Sequence, residues 1–122
     1  MRILGIDYGR SKVGLAIAET PLAQPMGVIR YSTPGELQIK IKRVIEDSDI
    51  DKIVVGVSEG EMAKESEEFA KSLGAETFDE TLTSFEAQRL SIEAGIKRKK
   101  RREMEDAYAA TVMLQNYLDE KG

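Results

Sequence analysis

The sequence of 122 residues contains no cysteine and no histidine. The first absence excludes disulfides, thiolate metal sites and Cys nucleophiles; the second removes imidazole ligands and every His-based general base or triad. Chemistry is left to carboxylates, Lys, Arg, Tyr, Ser and Thr. That inventory favours hard cations held by oxygen, Mg²⁺ or Mn²⁺, over zinc or copper. Long apolar runs are missing too: none approaches the roughly 18 residues of a spanning helix, and no basic-then-apolar leader with a small-residue cleavage site opens the chain. The expectation is a soluble cytoplasmic protein with no membrane partner. With 41% hydrophobic residues, the length suits one domain, taken as residues 1–122, with one real core.

The formal net charge of -4 argues against a nucleic-acid partner only if the charge is evenly spread. It is not, because Lys97, Arg98, Lys99, Lys100, Arg101 and Arg102 are consecutive cations on an otherwise acidic body. A solvated tail would lie at a terminus, whereas this tract joins two expected helices. Six like charges without an apolar anchor are expected to stay mobile until phosphates order them.

The order of elements expected from periodicity is β-β-β-α-β-α-β-α-α. Ile3 to Ile6 reads as a buried strand ending at Asp7, and Tyr8 to Lys12 supplies turn chemistry before a returning strand, Val13 to Ala18. Val28 to Tyr31 is the third strand, with Pro21 and Pro25 marking the loop before it. Thr33-Pro34-Gly35-Glu36 is a capping box with proline at the first helical position, and Leu37, Ile41, Val44 and Ile45 then share one face. Lys52 to Val57 is a second buried strand, parallel to the first after a helical crossover. Met62, Ser66, Phe69 and Leu73 recur at helical spacing up to Gly74. Glu76 to Phe78 is a short strand, Thr83 to Glu86 caps a helix stopping near Gly95, and Glu103 to Leu118 forms a terminal helix.

Three carboxylates stand out. Asp7 ends a central strand, where the sites of open α/β sheets lie, although aspartate there can equally serve as a turn former. Glu80 follows a short strand expected to run parallel to the first; it can also simply favour the positive end of the next helix. Asp106 shares a helix side with Ala110, Met113 and Tyr117 at the border of the apolar face, where an unpaired carboxylate is costly. Three acids gathered at one sheet edge repel, and divalent cations relieve that repulsion. Two such ions roughly 4 Å apart can activate water and stabilise the leaving oxygen of a phosphodiester without histidine. The basic tract lies a few residues before Asp106, placed to hold a phosphate backbone.

Gly5-Ile6-Asp7-Tyr8-Gly9 with Lys12-Val13-Gly14-Leu15-Ala16 resembles the opening of the YqgF-type, RuvX-like family of Holliday junction resolvases and pre-16S rRNA nucleases. Asp79-Glu80 with Leu82-Thr83 and Glu86-Ala87 looks like the family's second motif. Asp106-Ala107, Ala109-Ala110, Leu114-Gln115 and Tyr117-Leu118 look like its third. The resemblance spans nearly the whole chain and implies a ribonuclease H-like fold, a five-stranded mixed sheet flanked by helices. It maps the acidic motif positions, as catalytic residues and metal ligands, onto Asp7, Glu80 and Asp106. It also implies trimming of the 5′ end of precursor 16S rRNA in ribosome biogenesis, with junction resolution in DNA recombination and repair as the alternative. Two departures bear on substrate contacts: Thr81 stands where the family has Arg, and Gly56-Val57-Ser58 where it has Gly-Leu-Pro.

The expected partner is nucleic acid, structured RNA or branched DNA, contacted by Arg10, Lys12 and Lys97 to Arg102; a homodimer is left open. Two other classes compete. Asp7-Tyr8-Gly9 also fits the phosphate motif of actin and sugar-kinase ATPases, but the chain is too short for their two lobes. A non-catalytic nucleic-acid-binding module would explain Thr81 and the altered Gly56 segment, yet has no evident need of an acidic cluster facing phosphates.

Overall fold

Tyr8 to Ser11 turns the chain between two strands, β1 (Ile3–Asp7) and β2 (Lys12–Ala18), which pair antiparallel with Asp7 opposite Gly14. They form the centre of a five-stranded sheet in a computed structural model that describes residues 1–19, 21–57, 60–79 and 98–121. The third strand, β3 (Ala23–Arg30), pairs antiparallel with β2. It begins well before the expected Val28 and takes in Pro25, because the strand order β3-β2-β1-β4-β5 places it at an edge. A proline lacks the N–H that an interior strand would need, and an edge tolerates that loss. The register shifts between Leu15 and Ala16.

The capping box opens α1 (Pro34–Asp47) as read from the sequence: the Thr33 hydroxyl accepts from the Glu36 N–H at 3.1 Å, and Glu36 accepts from the Ser32 N–H at 2.7 Å. The crossover returns as β4 (Lys52–Val57), parallel to β1, with Gly56 beside Asp7. Next, α2 (Glu61–Leu73) ends at Gly74, whose φ of 66° is the left-handed conformation that glycine adopts without Cβ strain. β5 (Glu76–Asp79) pairs parallel to β4. The helix expected from Thr83 to Gly95 falls outside the described residues.

The terminal helix, α3 (Arg98–Lys121), has 24 residues. It starts at Arg98, not Glu103, so the connector expected over Arg98 to Arg102 is helical backbone instead. Lys and Arg are themselves good helix formers, and propensity outweighs like-charge repulsion there. Lys97 lies outside the described residues.

Alternation along the strands sorts two cores. On one face Leu4, Ile6, Val13, Leu15 and Val55 pack with Leu37 and Ile41 of α1 and with Phe69 of α2. On the other, Ala16, Ala18 and Val54 pack with Ala110, Met113, Leu114 and Tyr117 of α3. Ser66, buried in α2, donates to the Met62 carbonyl at 2.8 Å, which satisfies its hydroxyl. Among the described residues no helix is long and apolar enough to cross a membrane.

Candidate active site

Asp7 is the last residue of β1, and Ile3, Gly5 and Asp7 alternate onto the face that α3 covers. Its sheet neighbours are both glycines: Gly14 on β2 and Gly56 on β4. Gly14 has a specific use. A Cβ built there would lie 1.8 Å from the Asp106 carbonyl oxygen and 2.9 Å from the Ala107 nitrogen, so α3 rests with its backbone on this residue. Gly5 makes a second close approach, with a built Cβ 3.0 Å from that of Leu114. Paired strand residues have Cα atoms about 4.5–5.5 Å apart. Asp106 is therefore seated one strand away from Asp7, over the same edge and on the same face.

Lys12, which opens β2, places its Nζ 3.0 Å from Asp106 Oδ2. The acid at the border of the apolar face is thus compensated by a cation, as its position demands. Ala110, Met113 and Tyr117, further along the same side of α3, are buried.

The turn after Asp7 is fastened from three directions. The Arg10 guanidinium donates to Glu65 of α2 from Nε at 2.9 Å and lies 2.8 Å away through a second nitrogen; that bond with Glu65 raises its affinity for its proton further. Tyr8 lies against Phe69 with ring centroids 4.8 Å apart. The Tyr31 hydroxyl donates to the Gly9 carbonyl, and burial, followed by the hydrogen bond with Tyr8, pushes the phenol above its ordinary range. At the opposite end of α3, the Tyr117 hydroxyl donates to Glu76 at 2.6 Å, and Lys52 reaches the same carboxylate at 2.9 Å. The Lys52 ammonium is held above its ordinary value by Tyr117 first and Glu76 second.

Of the expected acids, Asp7 and Asp106 come to one edge. Glu80 falls outside the described residues; the strand before it, β5, ends at Asp79 with Asp79 beside Val57, so parallel pairing carries the chain to the edge where β1 ends. Among the described residues no group of three or more acids is placed to hold a metal. Arg10 and Lys12, expected at phosphates, each already face a carboxylate. The side chains from Lys97 to Arg102 lie outside the described residues. Sequence reasoning missed the seat at Gly14 and the Lys12–Asp106 pair. Gly14 stood inside a strand-like run with nothing to mark a helix crossing it, and the available signal was the alternation of small residues, Gly14, Ala16 and Ala18.

The donor chemistry suits a hard divalent cation. Two carboxylates approach a shared edge, the sequence offers no thiolate or imidazole ligand, and the ammonium beside Asp106 shows that this edge accepts positive charge.

A family model described as RuvX, Holliday junction resolvase, matches residues 1–120. A protein of Agathobacter rectalis named "Putative pre-16S rRNA nuclease" is 36% identical, with 98% of this chain and 95% of the relative covered. One of the same name from Desulfitobacterium hafniense is 38% identical, with coverage of 98% and 92%. Among solved structures, Thermus thermophilus RuvC in complex with a Holliday junction substrate superposes with a TM-score of 0.61 at 17% identity, covering 99% of this chain and 95% of that one. The fowlpox virus resolvase in complex with junction DNA gives a TM-score of 0.65 at 11% identity, with 99% of each chain covered. These two likenesses establish the ribonuclease H-like fold expected from the sequence.

Proposed function

We infer the function from a premise that the comparisons establish: the chain belongs to the RuvX family of Holliday junction resolvases, a family of nucleases and hence of hydrolases. Acting as one domain over residues 1–122, it hydrolyses phosphodiester bonds with Asp7, Glu80 and Asp106 as its catalytic carboxylates. The observation that carries this reading is the seat of α3 on Gly14, which brings Asp106 over the strand end that bears Asp7. Glu80 follows the parallel β5 and is assigned to the same edge.

Asp7, Glu80 and Asp106 would hold Mg²⁺ or Mn²⁺. A divalent ion there supplies positive charge to developing phosphoryl oxygens and lowers the pKa of water, which replaces the missing histidine base. The chain's own part is to aim the acids. Tyr8 on Phe69, Tyr31 on Gly9 and Arg10 on Glu65 hold the turn next to Asp7, and small residues hold α3 near the sheet. Lys97 to Arg102, just before Asp106 in the chain, are assigned to the phosphate backbone, whereas Arg10 and Lys12 at the first turn are engaged with Glu65 and Asp106.

The substrate read as best supported is the 5′ end of precursor 16S rRNA, since the relatives at 36% and 38% identity carry that name over nearly their whole length. Work on that substrate places the protein in the cytoplasm. Branched DNA is the second reading, favoured by the family description and by the junction-bound resolvases that share the fold. A cleavage assay in Mg²⁺ or Mn²⁺, on precursor 16S leader RNA and on a four-way DNA junction, separates them. Cleavage of the RNA, lowered roughly 1,000-fold or more by Asp7→Asn with the melting temperature intact, is the expected result. Cleavage of the junction alone selects the second reading, and equal activity in Asp7→Asn overturns the assignment of the site.

A further inference from the structure

Lys12, Gly14 and Ala16 alternate onto the side of the sheet that α3 covers. Gly14 fixes how near the helix comes, and Lys12, two residues earlier, meets the side chain of the residue whose carbonyl Gly14 supports. Asp106 is therefore held at a backbone contact and cannot draw back from the sheet edge as a surface acid would. We propose that Lys12 is the resident cation of this acidic edge, occupying Asp106 in the metal-free protein until a divalent ion displaces it. The proposal rests on the metal-site reading above and adds a competitor to it.

The physical reason is repulsion. Asp106 and Asp7 face one edge, and two like charges brought there repel unless positive charge intervenes. Lysine fits an occupant that must leave: its ammonium is a compact point charge on a flexible four-carbon stem, without the planar two-bond grip of arginine on a carboxylate. The contrast with Arg10 is on the same turn. Arg10 grips Glu65, an acid of α2, through two nitrogens, with 63% and 38% of the two side chains exposed. Lys12 meets Asp106 through one nitrogen, with 41% and 30% of the two side chains exposed, so water and ions reach the pair. A divalent ion brings twice the charge and can be shared with a second carboxylate, which a tethered ammonium cannot do as closely.

The test uses the full chain. Mn²⁺ binding is followed by the spin-resonance signal of the free ion, and thermal melting is recorded with and without metal. Lys12→Met is expected to bind Mn²⁺ about three to ten times more tightly than the unaltered protein. Without metal it should melt about 2 °C lower. That deficit should vanish at saturating Mn²⁺ and in an Asp106→Asn background, where nothing remains for the ammonium to neutralise. Lys40→Met removes a cation whose partner is Glu36 on α1 and should leave the Mn²⁺ affinity unchanged. Lys12→Gln repeats the measurement should Met disturb β2. Unchanged Mn²⁺ affinity in a folded Lys12 variant, or equal tightening in Lys40→Met, overturns the proposal while leaving an Asp7-dependent metal site in place. If the unaltered protein shows no saturable Mn²⁺ binding, or Asp7→Asn binds as well, the site reading itself fails and the proposal falls with it.

Discussion

The two faces of the sheet are built on opposite plans. Toward α1 and α2 the strands present Leu4, Ile6, Val13, Leu15 and Val55, branched side chains that fill the space between sheet and helices. Toward α3 they present Gly5, Gly14, Ala16 and Ala18 beside the larger Val54, and the helix comes so close that a methyl group at Gly14 has no room. The first plan stores stability in buried apolar volume. The second uses small residues to set a distance, and the residues whose distance it sets are Asp7 and Asp106. One face of a single sheet can thus be a core in the usual sense while the other serves as a jig for charged groups.

The sharpest way to break this contrast is Gly14→Ala. The new Cβ would meet backbone, not the yielding end of a side chain, so the cost should be about 3 kcal/mol or more. Because α3 must lift, cleavage per folded molecule should fall along with stability. Denaturant melts and activity measured below the transition check both, and a variant that is destabilised but fully active would show that the seat does not position Asp106.

On the other face Ile41→Val removes one methylene from a fully buried side chain of α1. It should cost about 1 kcal/mol and leave cleavage per folded molecule unchanged, since the helix it loosens carries none of Asp7, Glu80 and Asp106. A matching loss of activity would mean that the two faces are mechanically coupled.

The smallest effect belongs to the α1 capping box, whose residues Ser32 to Gly35 are exposed. The Ser32 backbone N–H, and after it the Lys40 ammonium, hold Glu36 below the usual carboxylate range. A carboxyl lowered on folding stabilises above its unfolded pKa, and that contribution is lost as pH falls through the folded value. Melting temperatures of the unaltered protein and Glu36→Gln should therefore differ near neutrality and converge as the pH drops from about 5 to about 3. A gap that persists at low pH would assign the effect to packing instead of charge.

Much of the architecture was legible because it is written locally. The capping box at Thr33 needs only Thr and Glu three residues apart, and the Gly74 stop needs one residue free of Cβ strain. Parallel pairing of β1 with β4 follows from two apolar runs and a helix between them. The misread boundaries are places where context overrode such signals. Pro25 reads as a breaker until the strand is known to be an edge, and Arg98 to Arg102 read as a charged connector until they are seen as the first turns of a helix.

For the site, sequence alone determined the chemical inventory: without cysteine or histidine, chemistry is left to carboxylates, Lys, Arg and hydroxyl side chains, and the order of motifs singled out Asp7, Glu80 and Asp106. It could not determine that Lys12 answers Asp106, or that Gly14 is the surface on which the helix rests. Those facts join residues more than ninety positions apart. Propensity and periodicity act over one or a few turns of chain. The distance between a strand and a helix so remote in sequence is set by the size of the side chains that meet between them, and only the folded molecule decides which ones meet.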